Sequence, residues 1–229
     1  MQLLPGFNRA VPQILPSTLR STVLSGGKRA LRAPGTSVAD GGVRMAPVKV
    51  VRPRISYADL ERAPEDGRRY ELYDGEVYVV PAPLPRHQVV QQLILERLRA
   101  HAAAQGGFAV DSPIDIVFSQ YDVLQPDVVY FGPARAHLVD LDRVITDRPD
   151  LCVEVISPST RETDRGRKMQ LFARYRVPEY WIADPSARAV EVYRLEGNAY
   201  VLATTASGDD RVTSPLLPGL AFDAASVFA

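Results

Sequence analysis

The run LCVEVIS, residues 151–157, constrains this chain more than any other stretch. As a strand it places Leu151, Val153 and Val155 on one face and Cys152, Glu154 and Ile156 on the other, so both faces are apolar except for one carboxylate. Such a strand belongs inside a sheet covered on both sides. An ionised carboxylate held there without a partner is strongly unfavourable, so Glu154 requires a cation or a proton beside it.

The surrounding pattern tells what sheet this is. YADLERAPEDG reads as a short helix closed by a turn, and YELYDGEVYVV as two strands joined at Asp74-Gly75, a dipeptide that favours the tight hairpin turn. After a stiff loop with Pro81, Pro83 and Pro85, apolar residues recur at Val89, Val90, Leu93, Ile94 and Leu98, the spacing of a helix that ends near Gly106-Gly107. PIDIVF, PDVVYF and LCVEVIS then read as strands, 164–176 as a helix, and EYWIAD, AVEVYRL and AYVLATT as further strands. This order predicts an α/β fold, one mixed sheet with helices packed on its faces.

Composition narrows the class. A chain of 229 residues with 46% hydrophobic content can bury a core of one domain, and no apolar run approaches the ~18 residues that cross a bilayer. No membrane partner is expected. The single cysteine, Cys152, excludes an intramolecular disulfide framework and multi-thiolate zinc sites, which fits a reducing cytoplasm. Of the 27 basic and 27 acidic residues, six basic and one acidic lie in residues 1–44, which leaves 21 basic against 26 acidic after them. The N-terminal stretch, rich in Pro and Gly and without periodicity, reads as a disordered basic extension over 1–48; a targeting peptide is the lesser alternative, and Met45 is a candidate true start. The domain over 49–229 is mildly acidic, unlike a protein that coats nucleic acid without regard to sequence.

Three residues in that domain point to chemistry. Pro126 suits only the start of a strand, which sets Asp127 near an end of the sheet, and if its strand neighbours that of Glu154 the two carboxylates converge. Paired carboxylates of this kind hold a hard divalent cation such as Mg²⁺ or Mn²⁺. Among 24 arginines and three lysines, Lys168 is the only lysine after residue 49. On its helix it shares a face with Asp164, Leu171, Phe172 and Tyr175, which turns it toward the sheet, whereas Arg167 and Arg174 point elsewhere. A compact ammonium in a chain that otherwise uses Arg marks a task for a point charge.

Together YELYDGE, PRHQ, QPDVVYF, VEVISPSTRETDRGRKMQLFARYRVPEYWIAD and SPLLPGL resemble the Uma-type family of restriction endonuclease-like proteins, a branch of the PD-(D/E)XK nuclease superfamily, over roughly residues 55–228. The resemblance implies a restriction-endonuclease-like core with an N-terminal β-hairpin addition, and metal-dependent cleavage of phosphodiester bonds, in DNA ahead of RNA. It matches Asp127 to the PD aspartate, Glu154 to the second acid and Lys168 to the lysine. In the superfamily that lysine usually lies two residues after the acid, where this chain has Ile156, so here it has moved to the following helix.

Other polar residues complete the expected site. The YELxDGE pattern of the family implies that a hairpin carboxylate lines it, with Glu76 preferred over Glu71; a solvated strand edge is the alternative. His87, at a helix start, contacts phosphate or tunes a ligand, or is structural. Arg165, Arg167 and Ser157 are the expected substrate contacts, Arg161 lying in the same basic cluster. A second reading keeps the fold without catalysis, as a module that binds nucleic acid or a protein partner, for example as a homodimer, with Glu154 neutralised by Lys168 in a buried ion pair. A hydrolase acting through Ser or Cys lacks a nucleophile with a histidine near it.

Overall fold

The computed structural model describes residues 53–228, so the expectation for the extension over 1–48 lies outside the described residues. The chain runs α1 (Tyr57–Glu61), β1 (Arg69–Tyr73), β2 (Glu76–Val80), α2 (Pro85–Gln105), β3 (Phe108–Asp111), β4 (Ile116–Ser119), β5 (Asp122–Leu124), β6 (Val128–Phe131) and β7 (Leu151–Val155). It continues through α3 (Arg161–Thr163), a π turn (Asp164–Lys168) and α4 (Met169–Arg174) to β8 (Glu179–Asp184), β9 (Ala189–Glu196), β10 (Ala199–Ser207), β11 (Arg211–Thr213) and β12 (Ala221–Asp223).

The central sheet has the order β10-β9-β8-β7-β6-β3 and is mixed, because β7 and β8 pair in parallel across the helical crossover while the other pairs are antiparallel. The hairpin is not a lone addition to it. With β5 and β4 it forms a second, antiparallel sheet, β2-β1-β5-β4, and β11-β12 make a small third one. Strands of three or four residues such as β3 and β5 are too short to show an alternation, which is why the sequence reads as one sheet.

Local chemistry sets the element ends. Asp74 and Gly75 both take positive φ, 51° and 81°, as the hairpin turn of matching twist demands, and a Cβ on Gly75 would stand 2.7 Å from that of Arg54. Pro85 opens α2 and Gly106, at φ 80°, closes it in the left-handed conformation. The buried stripe of α2 is Val90, Gln91, Ile94, Leu95, Leu98 and Ala102; Val89, expected on it, is exposed.

The two faces of β7 enter different cores. Leu151, Val153 and Val155 pack with the α2 stripe and Trp181, whereas Cys152 and Ile156 pack with Leu171 and Phe172 of α4, Ile182, and Tyr73, Ile116 and Leu124 of the second sheet. Each fully buried side chain of this size contributes about 1.5–3 kcal/mol. Glu154 lies on the second face, between the central sheet and the layer formed by α4 and the hairpin sheet.

Candidate active site

The antiparallel register of β6 and β7 pairs Val128 with Val153, and one step further sets Asp127 opposite Glu154. Asp127 precedes β6 directly after Pro126, as the missing proline N–H requires. Its Oδ2 accepts the N–H of Val155 at 2.8 Å and lies 3.1 Å from His87 Nε2, one of the first residues of α2. Gln91, one turn further along α2 and fully buried, donates to the Asp127 carbonyl at 3.1 Å. Two residues of one helix face thus hold both the side chain and the main chain of Asp127.

Glu154 finds its cation in Lys168. The ammonium is 2.9 Å from Glu154 Oε2, 3.4 Å from Glu71 Oε1 and 3.6 Å from Asp164 Oδ1. Glu71 is fixed in turn by the Tyr73 hydroxyl, which donates to its Oε2 at 2.7 Å, and by the N–H of Gln125 at 2.9 Å. Burial pushes the Glu154 carboxyl well up from the usual carboxylate range; Lys168 pulls it down, while Asp164, Asp127 and Glu71 push it further up. Burial raises Asp164 in the same way. For Lys168 burial acts downward, but Glu154 and Glu71 outweigh it and hold the ammonium well above its ordinary value. Three carboxyl groups thus surround one ammonium.

The expected site residues divide into two groups. Asp127, Glu154, Lys168, His87 and Ser157 line one cavity of about 360 Å³, together with Asp164, Gln125, Arg69, Val80–Leu84 and Pro158–Thr160. Glu76, the hairpin acid preferred from the sequence, does not line it. Glu71 shares the inward face of β1 with Tyr73, whereas Glu76, on the exposed strand β2, pairs with Arg167 at 3.1 Å. Arg165 and Arg167 do not line the cavity either. Arg165 makes a bidentate pair with Glu191 at 2.6 and 2.9 Å, and Arg167 lies between the rings of Tyr73 and Tyr78, 4.9 Å from each. Arg161 is bound by Asp184 at 3.0 Å. Arg174 binds Asp74 at 2.8 Å. Each arginine of the basic cluster thus has an ion-pair partner far along the chain.

Sequence reasoning also passed over Asp164 and Gln91 as site residues. Each sits four positions from a residue that it did single out, Lys168 and His87, and that spacing was the available signal. The helix expected over 164–176 begins at Arg161 and is interrupted by the π turn Asp164–Lys168, a local widening that recurs at functional sites.

Among the described residues no group of three or more His, Cys, Asp or Glu side chains is set to hold a metal ion. The residues still fit one. Glu154 lines the same cavity as Asp127, and its Oε1 is buried with no hydrogen-bond partner. Two carboxylates completed by waters and substrate oxygens are the usual protein share of a Mg²⁺ site.

A family model described as "Putative restriction endonuclease", that of Uma2, matches residues 57–225. No curated protein matches the chain. Among solved structures, a crystal structure described as "a putative nuclease belonging to DUF820" from Anabaena variabilis shares the fold, with a TM-score of 0.64 and 18% identity over 76% of this chain and 97% of that one.

Proposed function

Because the chain belongs to the Uma2 family, we propose that it is a metal-dependent endonuclease that hydrolyses phosphodiester bonds in DNA, through the domain over residues 49–229. The observation that carries this reading is the buried, orphaned Oε1 of Glu154, a residue that lines one cavity with Asp127. Asp127 and Glu154 would hold Mg²⁺ or Mn²⁺. When bound, that ion supplies charge to a phosphoryl oxygen and acidifies a water.

The protein's own groups do the rest. Lys168, kept protonated by its carboxylates, acts as a fixed positive charge at the cavity floor and not as a base. It also holds Glu154 through Oε2, while Oε1 is buried without a hydrogen-bond partner. His87 and Gln91 keep Asp127 in place from α2. No helix among the described residues is long and apolar enough to cross a membrane, and the lone Cys152 is a buried, free thiol that suits the cytoplasm.

The 2.9 Å pair between Lys168 and Glu154 is the contact that a catalytically silent module would also make. What favours the enzyme is the Glu154 oxygen that this pair leaves without a partner. The deciding experiment incubates wild type and Asp127→Ala with DNA in Mg²⁺ or Mn²⁺, alongside calorimetric titration with Mn²⁺. Cleavage and binding heat that both vanish in Asp127→Ala support the enzyme; wild-type protein that takes up no Mn²⁺ and cuts nothing supports the silent module.

A further inference from the structure

The reactive groups lie deep, in a cavity with few unpaired cations in its lining. Side-chain exposure is 14% for Asp127, 8% for Lys168 and 3% for Glu154, so a phosphate must enter the cavity to meet them. The walls are two loops stiffened by proline, Pro81 and Pro83 on one side and Pro158 on the other, where Ser157 is tied to Ser159 and Thr160 at 3.0 and 3.1 Å. One wall is apolar from Val80 through Leu84, and Leu84 is 66% exposed at its edge.

Inside the cavity, cations available to a DNA backbone are few, although Arg86, directly before His87 in α2, is exposed. Lys168 is occupied by three carboxylates and His87 by Asp127. Arg161, Arg165 and Arg167 are bound by Asp184, Glu191 and Glu76. Among the described residues that line the cavity, only Arg69 has no ion-pair partner, its guanidinium reaching the carbonyl of Pro81 at 3.3 Å. A protein that grips a duplex does so through several phosphate contacts on each side of the cut. Here the cavity offers instead an apolar wall, which suits the face of a base or sugar, and room for a strand that has left its partner.

On the nuclease reading above, we infer that the substrate is a single-stranded or unpaired segment of DNA, inserted into the cavity with a nucleotide against the Pro81–Leu84 wall, and not the interior of a regular duplex. The test compares one labelled sequence as a single strand, as a blunt duplex and as a duplex with an unpaired flap. Binding is read by fluorescence anisotropy in Ca²⁺ and cleavage in Mg²⁺ or Mn²⁺. Single strand and flap should bind and be cut at least about tenfold better than the duplex, a difference of ~1.4 kcal/mol. Leu84→Asp and Ala82→Asp should each erase most of that preference, with melting temperatures close to wild type. Equal binding and cutting of duplex and single strand, or no effect of either variant, overturns the inference and leaves the nuclease reading intact. A retained binding preference without cleavage of any substrate overturns the nuclease reading instead.

Discussion

The ammonium of Lys168 reaches Glu154, 14 residues earlier in the chain, at 2.9 Å from a different element, the π turn Asp164–Lys168, and both side chains are buried. Removing one partner of such a pair strands the other's charge. Lys168→Ala is therefore expected to abolish cleavage and also to cost about 3–5 kcal/mol of stability, a fall in melting temperature of about 10 °C. Lys168→Arg should recover little, because a planar guanidinium does not fit the slot among three carboxylates. Single-turnover cleavage and melting curves of both variants check this; a Lys168→Ala protein that melts like wild type refutes the placement.

Divalent metal should stabilise the fold. An ion that binds only the native state adds about 2.7 kcal/mol at a hundred times its dissociation constant, which corresponds to a rise of about 5–10 °C here. Thermal melts with and without Mn²⁺ should show that rise in wild type and its loss in Asp127→Ala. A wild-type curve indifferent to millimolar Mg²⁺ and Mn²⁺ counts against the site.

Without metal, stability should fall as pH rises. Burial lifts the carboxyls of Glu154, Asp164 and Glu179 above the ordinary range, so the folded state keeps their protons to higher pH than the unfolded chain does. From the ordinary carboxylate range up through those raised values the unfolded state is the one with fewer protons, and each step upward costs stability. Asp184 and Glu191 run the other way: burial alone would raise them, but the N–H groups of Ala187 and Ser186, and Arg165, bring them below it. Their contribution is complete above the carboxylate range and is lost only in stronger acid. Melting in chelator is thus expected at lower temperature near about pH 8 than near about pH 5.5, and a rise across that window would contradict the burial argument.

The two hairpin carboxylates should separate cleanly. Glu71→Gln removes a charge 3.4 Å from Lys168 and should slow cleavage by about tenfold or more, ~1.4 kcal/mol of barrier. Glu76→Gln should stay within about twofold of wild type, since Glu76 is engaged by Arg167 away from the cavity. Equal defects in the two variants would return Glu76 to the site.

Arg167 is expected to act on structure and not on substrate. Its pair with Glu76 is partly exposed, so a double-mutant cycle with Arg167→Ala and Glu76→Ala should give a coupling of about 1 kcal/mol or less. The salt dependence of DNA binding should be the same in Arg167→Ala as in wild type, whereas loss of a phosphate contact would flatten the slope by about one unit.

The residues that were legible in the sequence are those that break a local pattern. Glu154 interrupts an apolar strand, Asp127 follows a proline that must begin one, and Lys168 is the lone lysine on an apolar helix face. Glu71 and Glu76 break no such pattern. Both stand in alternating strands beside tyrosines, and which one faces inward is decided by the pairing of β1 with β5 and by the burial of Tyr73, relations absent from the local run. The arginines of 161–167 look alike in sequence, yet their partners lie 23, 26 and 91 residues away, at Asp184, Glu191 and Glu76. Charge complementarity over such separations leaves no periodic trace, and neither does the extra residue of a π turn.

The helical run 161–168 ties itself to a different strand at nearly every polar step: Arg161 to the end of β8, Arg165 to β9, Arg167 to β2 and Lys168 to β7 and β1. One residue inserted or deleted there would rotate all that follows by about 100°, and every later anchor would miss its mate at once. Drift in length during divergence should consequently accumulate in loops such as 132–150, while the spacing from Arg161 to Lys168 stays constant, a ruler by which active relatives can be told from those that have lost the reaction.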